Sequence, residues 1–289
     1  MSHSHSHHHH GHVHHTSKNI RIAFLLNTIF TVIEIAGGFY TNSYAILSDA
    51  LHDLGDSLAL GLAWFFQNYA ERESDKFYSF GYKRFSVLAA LINGLVLLVG
   101  SCLILYNTIP RLLNPQAVDA PVMIIISIIG IIFNGAAVLQ LKKGTSLNER
   151  VVSLHLLEDV LGWAAVLAGS IVMYFFDVPV IDPILSILIS AYILYNVYGN
   201  LKRAFNIFLQ GAPVSVDREA LEQKILSFKA VKIVKSLQIW SLDGEHHVIN
   251  LKLKVSGIEK VADTEKLKEE IRHELEHMGI LDATIEIEN

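Results

Sequence analysis

Residues 122–133 read Val122-Met123-Ile124-Ile125-Ile126-Ser127-Ile128-Ile129-Gly130-Ile131-Ile132-Phe133. A surface helix gathers its apolar residues into one stripe and shows polar ones on the opposite face. This run has no polar face, so a helix built from it needs apolar surroundings on every side. With its flanks it covers 118–141, near the ~20 residues a helix needs to cross a hydrocarbon core of roughly 30 Å. Outward from it lie five more such stretches: Ile20–Tyr40, Tyr44–Phe66, Phe85–Asn107, Val151–Phe175 and Ile181–Gly199. Six membrane-spanning helices are therefore predicted within residues 18–208. The competing reading is a large buried helical bundle, which the unbroken Ile run disfavours.

Composition agrees. Of 289 residues, 52% are hydrophobic and 18% charged, against about 25% charged in soluble domains. So apolar a chain is not disordered over most of its length. The net charge of −5 gives no reason to expect a nucleic-acid partner. Cys102 is the single cysteine, which excludes an internal disulfide and any cysteine-based zinc knuckle. A bound metal would have to use His, Asp and Glu.

Loop charge sets membrane orientation. On one side stand Lys18, Arg21, Arg72, Lys76, Lys83, Arg84, Lys142, Lys143, Arg150, Lys202 and Arg203; the three opposite loops hold Arg111 alone. Both termini are expected in the cytoplasm of a multi-pass protein of the cell (inner) membrane. Residues 1–17 hold nine of the 15 histidines. They lack the apolar core of a secretory signal and read as a disordered, His-rich native tail that could gather metal near the site of uptake.

After the sixth stretch, Gly211-Ala212-Pro213 breaks the chain, and residues 211–289 read as a soluble domain. Asp217 can cap a helix through Phe228. Ser236–Ser241 and His247–Val255 read as strands joined by Leu242-Asp243-Gly244-Glu245. Asp263 opens an amphipathic helix to about Met278, and Thr284–Glu288 alternates as a last strand should. The order αββαβ suits a small sheet with both helices on one face. Its roughly 80 residues approach the lower limit for a self-standing core, so a second copy would help it.

Ionisable groups at membrane depth cost roughly 2.5–3.5 kcal/mol each on insertion scales, and are functional candidates by default. The first helix has Glu34. The second has Asp49, His52, Asp53 and Asp56, and the fifth has His155, Glu158 and Asp159. His52 and Asp56 are four apart, as are His155 and Asp159, so each pair shares one helix face with Cβ atoms roughly 5–6 Å apart. Two such helices face to face offer two imidazoles and two carboxylates, a set that suits tetrahedral Zn2+. The carboxylates also offset the cation's charge in an apolar medium. Asp49 lies about 10 Å along the axis from Asp56, too far to share one ion with it, and is read as a waiting site or proton relay. Asp53 is read as packing or proton handling, Glu158 as a substitute ligand, and Glu34 as a polar partner of the second helix or part of the ion path.

The runs Glu34-Ile35-Ala36-Gly37-Gly38, Ser43-Tyr44-Ala45-Ile46-Leu47-Ser48-Asp49-Ala50-Leu51-His52-Asp53-Leu54-Gly55-Asp56 and Phe80-Gly81-Tyr82-Lys83-Arg84 resemble the cation diffusion facilitator family. So do Leu88-Ala89-Ala90-Leu91-Ile92-Asn93-Gly94 and the second His-x-x-x-Asp on the fifth helix. The resemblance covers residues 18–289 and points to the bacterial zinc/cobalt/cadmium efflux branch. It implies a homodimer in the lipid bilayer, with six membrane helices per subunit and a ferredoxin-like, metallochaperone-like cytoplasmic dimerisation domain. It implies export of cytoplasmic Zn2+, or of Co2+ or Cd2+, as transported substrate, with protons as counter-ion. The family's ligands map onto His52, Asp56, His155 and Asp159, a set like that of the zinc-preferring members. The His-rich loop of many animal relatives is replaced here by the short link Lys142–Glu149.

That family's cytoplasmic domain often binds further metal. Here the sheet face offers Ser236, Lys252, Glu286 and Glu288, a poor ligand set. His246 and His247 sit beside the turn, and His273 and His277 are four apart on the last helix. Two other functions compete with transport. A membrane-embedded zinc hydrolase needs an open metal position and a general base, and the four-ligand set closes the site, so no enzymatic activity is expected. A zinc-binding membrane sensor would hold its stronger site in the cytoplasmic domain.

Overall fold

The computed structural model describes residues 13–70, 72–141, 147–257 and 260–288. The histidine tail through His12, and Lys142 and Lys143 of the short link, lie outside the described residues. Six long helices come first: α1 (Val13–Thr41), α2 (Tyr44–Ala70), α3 (Arg84–Leu113), α4 (Ala120–Leu141), α5 (Leu147–Phe176) and α6 (Ile181–Phe208). Five of them, all but α2, are long and apolar enough to cross a membrane by composition. α2 is long enough at 27 residues, but Asp49, His52, Asp53 and Asp56 lower its hydropathy. The architecture is the expected six-helix membrane protein with a C-terminal α+β domain.

Most of the helices outrun the apolar stretches that announce them. α1 begins at Val13 where Ile20 is expected, and α6 ends at Phe208 where Gly199 is expected. Residues 13–17, read from sequence as part of a disordered tail, are therefore helical. Hydropathy marks only the hydrocarbon layer, whereas backbone bonding continues through the headgroups. The 29 residues of α1, at about 1.5 Å each, span about 43 Å, close to a whole bilayer with its interfaces.

The chain divides into two compact units. One takes residues up to 61 with 93–197; the other takes 62–92 with 198–289. The first is built around buried Phe30, Ile46, Met123, Ile126, Trp163 and Val166. Trp163 meets Phe30 edge to face at 5.3 Å. A Cβ on Gly130 would lie 2.5 Å from the Trp163 ring, so only glycine lets the indole rest on the α4 backbone. Small residues commonly permit such close approach between membrane helices.

Polar groups also join these helices. Asp182, at the start of α6 and fully buried, accepts from Ser43 Oγ at 2.5 Å, Tyr44 N at 3.0 Å and Ala45 N at 3.2 Å. It thus serves orphan donors at the first turn of α2 from another helix. Ser43 Oγ in turn accepts from Ile46 N, the usual N-cap geometry. Four and eight residues on, buried Ser186 and Ser190 reach Ser48 of α2 at 2.8 and 3.3 Å. Arg111, the lone basic residue of its loops, donates to the Asn42 carbonyl and Oδ1 at 2.8 and 2.7 Å. That ties α3 to the turn between α1 and α2, where Asn42 takes a left-handed φ of 58°.

In the second unit, α7 (Arg218–Leu226), β1 (Val231–Ser241), β2 (His247–Val255), α8 (Val261–His277) and β3 (Ile280–Glu288) follow in the expected αββαβ order. Asp217 caps α7 as predicted, its Oδ1 accepting from Glu219 N and Ala220 N. β2 is central, antiparallel to β1 and parallel to β3. Leu221 and Ile225 of α7, Leu267, Ile271 and Leu275 of α8, and Ile249, Leu251 and Leu253 of β2 share one core, so both helices cover one sheet face. On the other face Ser236, Lys252 and Glu286 stand in register. Lys252 Nζ lies 3.0 Å from Glu286 and 2.6 Å from Glu288. Hydrogen bonds from Lys235 and Lys252 pull the Glu288 carboxyl down to about 2.

Candidate metal centre

α2 and α5 each present one His-x-x-x-Asp pair to the other. The pairing is crossed, as it must be for helices running in opposite directions: each histidine meets the other helix's aspartate. His155 Nε2 lies 2.7 Å from Asp56 Oδ2, and His52 Nε2 lies 3.6 Å from Asp159 Oδ1. Within α2, His52 Nε2 is 3.9 Å from Asp56 Oδ2. The imidazoles meet edge to face with centroids 5.4 Å apart. His52, His155 and Asp159 each offer a ligand atom within 4.8 Å of the others.

A tetrahedral cation bonded at about 2.0–2.1 Å holds neighbouring ligand atoms about 3.3 Å apart. The His52–Asp159 separation is near that bite. The His155–Asp56 separation is shorter and is a hydrogen bond. Asp56 thus lies close to both imidazoles, with its Oδ2 engaged by His155 Nε2.

Exposure is graded across the four. The side chain of Asp159 is 4% exposed and that of His52 19%, against 30% for Asp56 and 37% for His155. The site therefore opens on the Asp56–His155 side. Beside it lies a cavity of about 270 Å3 lined by Asp49, His52 and Asp159, together with Leu185 and Tyr192 of α6.

The neighbouring acids separate by environment. Glu158 accepts from Tyr192 Oη at 3.1 Å and is exposed, which turns it toward α6. Glu34, Asp49 and Asp53 are buried, at 0%, 5% and 1% exposure. Among the described residues, both oxygens of Glu34 and of Asp53, and one of Asp49, have no hydrogen-bond partner. Asp182, Ser186 and Ser190 are not among the residues predicted from the sequence alone. Their signal is legible all the same: polar or small residues at every fourth position of α6, on the face toward α2.

Among the C-terminal histidines, His246 Nδ1 lies 2.7 Å from Asp243 Oδ2. His247 is buried, with Nε2 3.1 Å from Ser215 Oγ, and burial pushes its imidazole below the usual range. His273 and His277 stand exposed on α8 with their Nε2 atoms 3.3 Å apart. With Glu274 they spell His-Glu-x-x-His at 273–277, on a helix outside the membrane-spanning stretches.

The family profile described as "Cation efflux transmembrane domain" matches residues 20–209, and that described as "Cation efflux protein, cytoplasmic domain" matches 213–289. The chain is similar to a cadmium, cobalt and zinc/H(+)-K(+) antiporter of Bacillus subtilis (strain 168), at 34% identity over 94% of this chain and 88% of the relative. It is 34% identical to the metal cation efflux system protein CzcD of Cupriavidus metallidurans, over 81% and 76%. It is 32% identical to the zinc transporter ZitB of Escherichia coli (strain K12), over 95% and 88%.

Proposed function

The chain belongs to the cation diffusion facilitator, or cation efflux, family, and from that premise we propose that it exports Zn2+ from the cytoplasm in exchange for protons. His52, Asp56, His155 and Asp159 are the transport site in this reading. The observation that carries it is the 2.7 Å contact between His155 Nε2 and Asp56 Oδ2. A proton held between those atoms occupies positions a metal needs, so metal and proton compete for one pair of ligands. Metal binding requires deprotonated ligands and therefore releases protons. In the outward-facing state, protons returning to the imidazoles and carboxylates help expel the ion.

Two imidazoles and two carboxylates suit Zn2+ in four-coordination. The absence of cysteine ligands favours release, because thiolates hold the ion more firmly. The Bacillus relative's name extends the substrates to Cd2+ and Co2+ and the counter-ions to K+; here we assign zinc and protons on ligand chemistry. Alternating access moves packed helices about a fixed site. The loop charges orient both termini to the cytoplasm of the inner membrane, and the more exposed ligands, Asp56 and His155, then stand toward the cytoplasmic ends of α2 and α5. The C-terminal domain joins two copies into a homodimer; its small core supports that reading.

The test is zinc uptake into proteoliposomes with a pH dye inside. Asp159→Ala removes a ligand oxygen from the buried side and is expected to abolish uptake and proton counterflow together. Transport that survives the substitution overturns the ligand assignment. Zinc movement without proton movement overturns the exchange.

A further inference from the structure

At the link between α2 and α3 we propose a pocket for the phosphate headgroup of an anionic phospholipid of the cytoplasmic leaflet, held by Lys83 and Arg84. A cavity of about 220 Å3 lies there, lined by both cations together with Phe80, Gln210 and Trp240. Among the described residues, no acid lines it. Among the same residues, the Nε atom of Arg84 is buried without a hydrogen-bond partner, although buried polar groups nearly always have one. A phosphate oxygen would supply that partner, and guanidinium–phosphate hydrogen bonds are among the strong ones.

Depth selects a lipid as the occupant. Phe85 opens the third apolar stretch, so Arg84 and Lys83 stand one and two residues outside it, about 1.5–3 Å along a helix axis. The headgroup layer of each leaflet is about 5–7 Å thick, so both cations fall within it. Phe77 and Phe80 are exposed beside them, as aromatic rings at a membrane interface commonly are. A cavity of this size admits a headgroup and leaves the acyl chains in the bilayer beside α3. Lys83 and Arg84 thus meet negative charge at the depth where the leaflet carries it.

Asp75 holds the link in this shape. Its Oδ1 accepts from Phe77 N and Tyr78 N, both at 2.8 Å, and its Oδ2 accepts from Tyr82 Oη at 2.7 Å. The carboxylate is thereby turned onto the loop's own donors. Gly81 takes a φ of 71°, and a Cβ there would lie 3.0 Å from the Arg72 carbonyl oxygen. The other two cations of the link are engaged with rings: Arg72 lies 4.3 Å over Tyr69 and Lys76 5.0 Å over Phe77. Phe80 meets Trp240 of β1 edge to face at 6.4 Å, so a bound headgroup touches the membrane link and the C-terminal domain together.

Native mass spectrometry of the detergent-solubilised full chain, titrated with dioleoylphosphatidylglycerol or dioleoylphosphatidylcholine, counts bound lipids and reads the assembly state in the same spectrum. One phosphatidylglycerol per subunit should bind in preference to phosphatidylcholine. Lys83→Gln and Arg84→Gln should each weaken that binding about fivefold, whereas Arg72→Gln combined with Lys76→Gln should leave it within about twofold. Equal binding of the two lipids by the intact protein overturns the proposal. So does an equal loss in the Arg72 and Lys76 variant, which would assign the attraction to the charge of the link as a whole. Displacement of the lipid by millimolar inorganic phosphate would give the pocket to soluble anions and overturn the lipid as its occupant. Zinc uptake through Asp159 is measured separately, so failure here leaves the transport site untouched.

Discussion

The Nε2 atom of His155 lies 2.7 Å from Oδ2 of Asp56, joining the ring of one helical pair to the carboxylate of the other. A tetrahedral ion would need this gap to widen to about 3.3 Å. Zinc entry must therefore break the contact. In weakly buffered solution at pH 7, zinc binding by the intact protein should release roughly one proton more per bound ion than binding by Asp56→Asn. The variant's amide cannot take the carboxylate's part in holding that proton. Measured per bound zinc, equal release by both proteins would show that the proton is held elsewhere.

His52 is the imidazole beside the cavity and faces Asp159 at 3.6 Å. Its planar ring fixes the length of one arm of the site. His52→Asp shortens that arm and replaces a borderline nitrogen with a hard oxygen, leaving a wider and less selective hole. The zinc-to-cadmium transport ratio should fall several-fold, mostly through faster cadmium uptake. Competition between the two ions in proteoliposomes measures it, and an unchanged ratio would remove His52 from selectivity.

Much of this arrangement is legible in the sequence, for identifiable reasons. The Val122–Phe133 run needs no tertiary information, because no other environment suits it. The two His-x-x-x-Asp pairs are legible because helical spacing fixes which residues share a face. Spacing alone does not reveal the crossed pairing, which depends on the direction of α2 against α5, nor that Asp56 is held by His155. The ends of α1 and α6 are not legible, because hydropathy reports the hydrocarbon layer and not the helix. Asp182 is not legible as a buried acceptor because in the sequence it stands at a helix end; its role appears only once α6 is laid beside α2. The ligand-poor sheet face was legible, and the Lys252–Glu286 and Lys252–Glu288 pairs explain its charges.

Asp182 serves three donors at the first turn of α2 while fully buried. Removing an acceptor from buried donors costs about 1–3 kcal/mol. Asp182→Ala should therefore lower the thermal unfolding midpoint of the detergent-solubilised protein. Ser43→Ala removes one cap and should cost about 1 kcal/mol. Because the two side chains also bond each other at 2.5 Å, the double variant should cost less than the sum of the single ones. Strictly additive losses would show that the cap does not act as a unit.

His247 opens β2 and is 5% exposed, with Ser215 as its hydrogen-bond partner. Burial depresses its imidazole, nearby Asp243 works against that shift, and His246 adds to it. The folded chain therefore holds this ring neutral where the unfolded chain would take a proton, from about pH 6.5 downward. Its contribution to stability is full above that pH and declines as the pH falls toward the lower, folded-state value. The sheet signal in the infrared amide band, which among the described residues only this domain supplies, should melt at a lower temperature at pH 5.5 than at pH 7.5. His247→Gln keeps a polar group beside Ser215 but cannot be protonated in this range, so the difference between the two pH values should shrink. If the variant shows the same pH dependence as the parent, the instability arises from another group and His247 is only a packing residue.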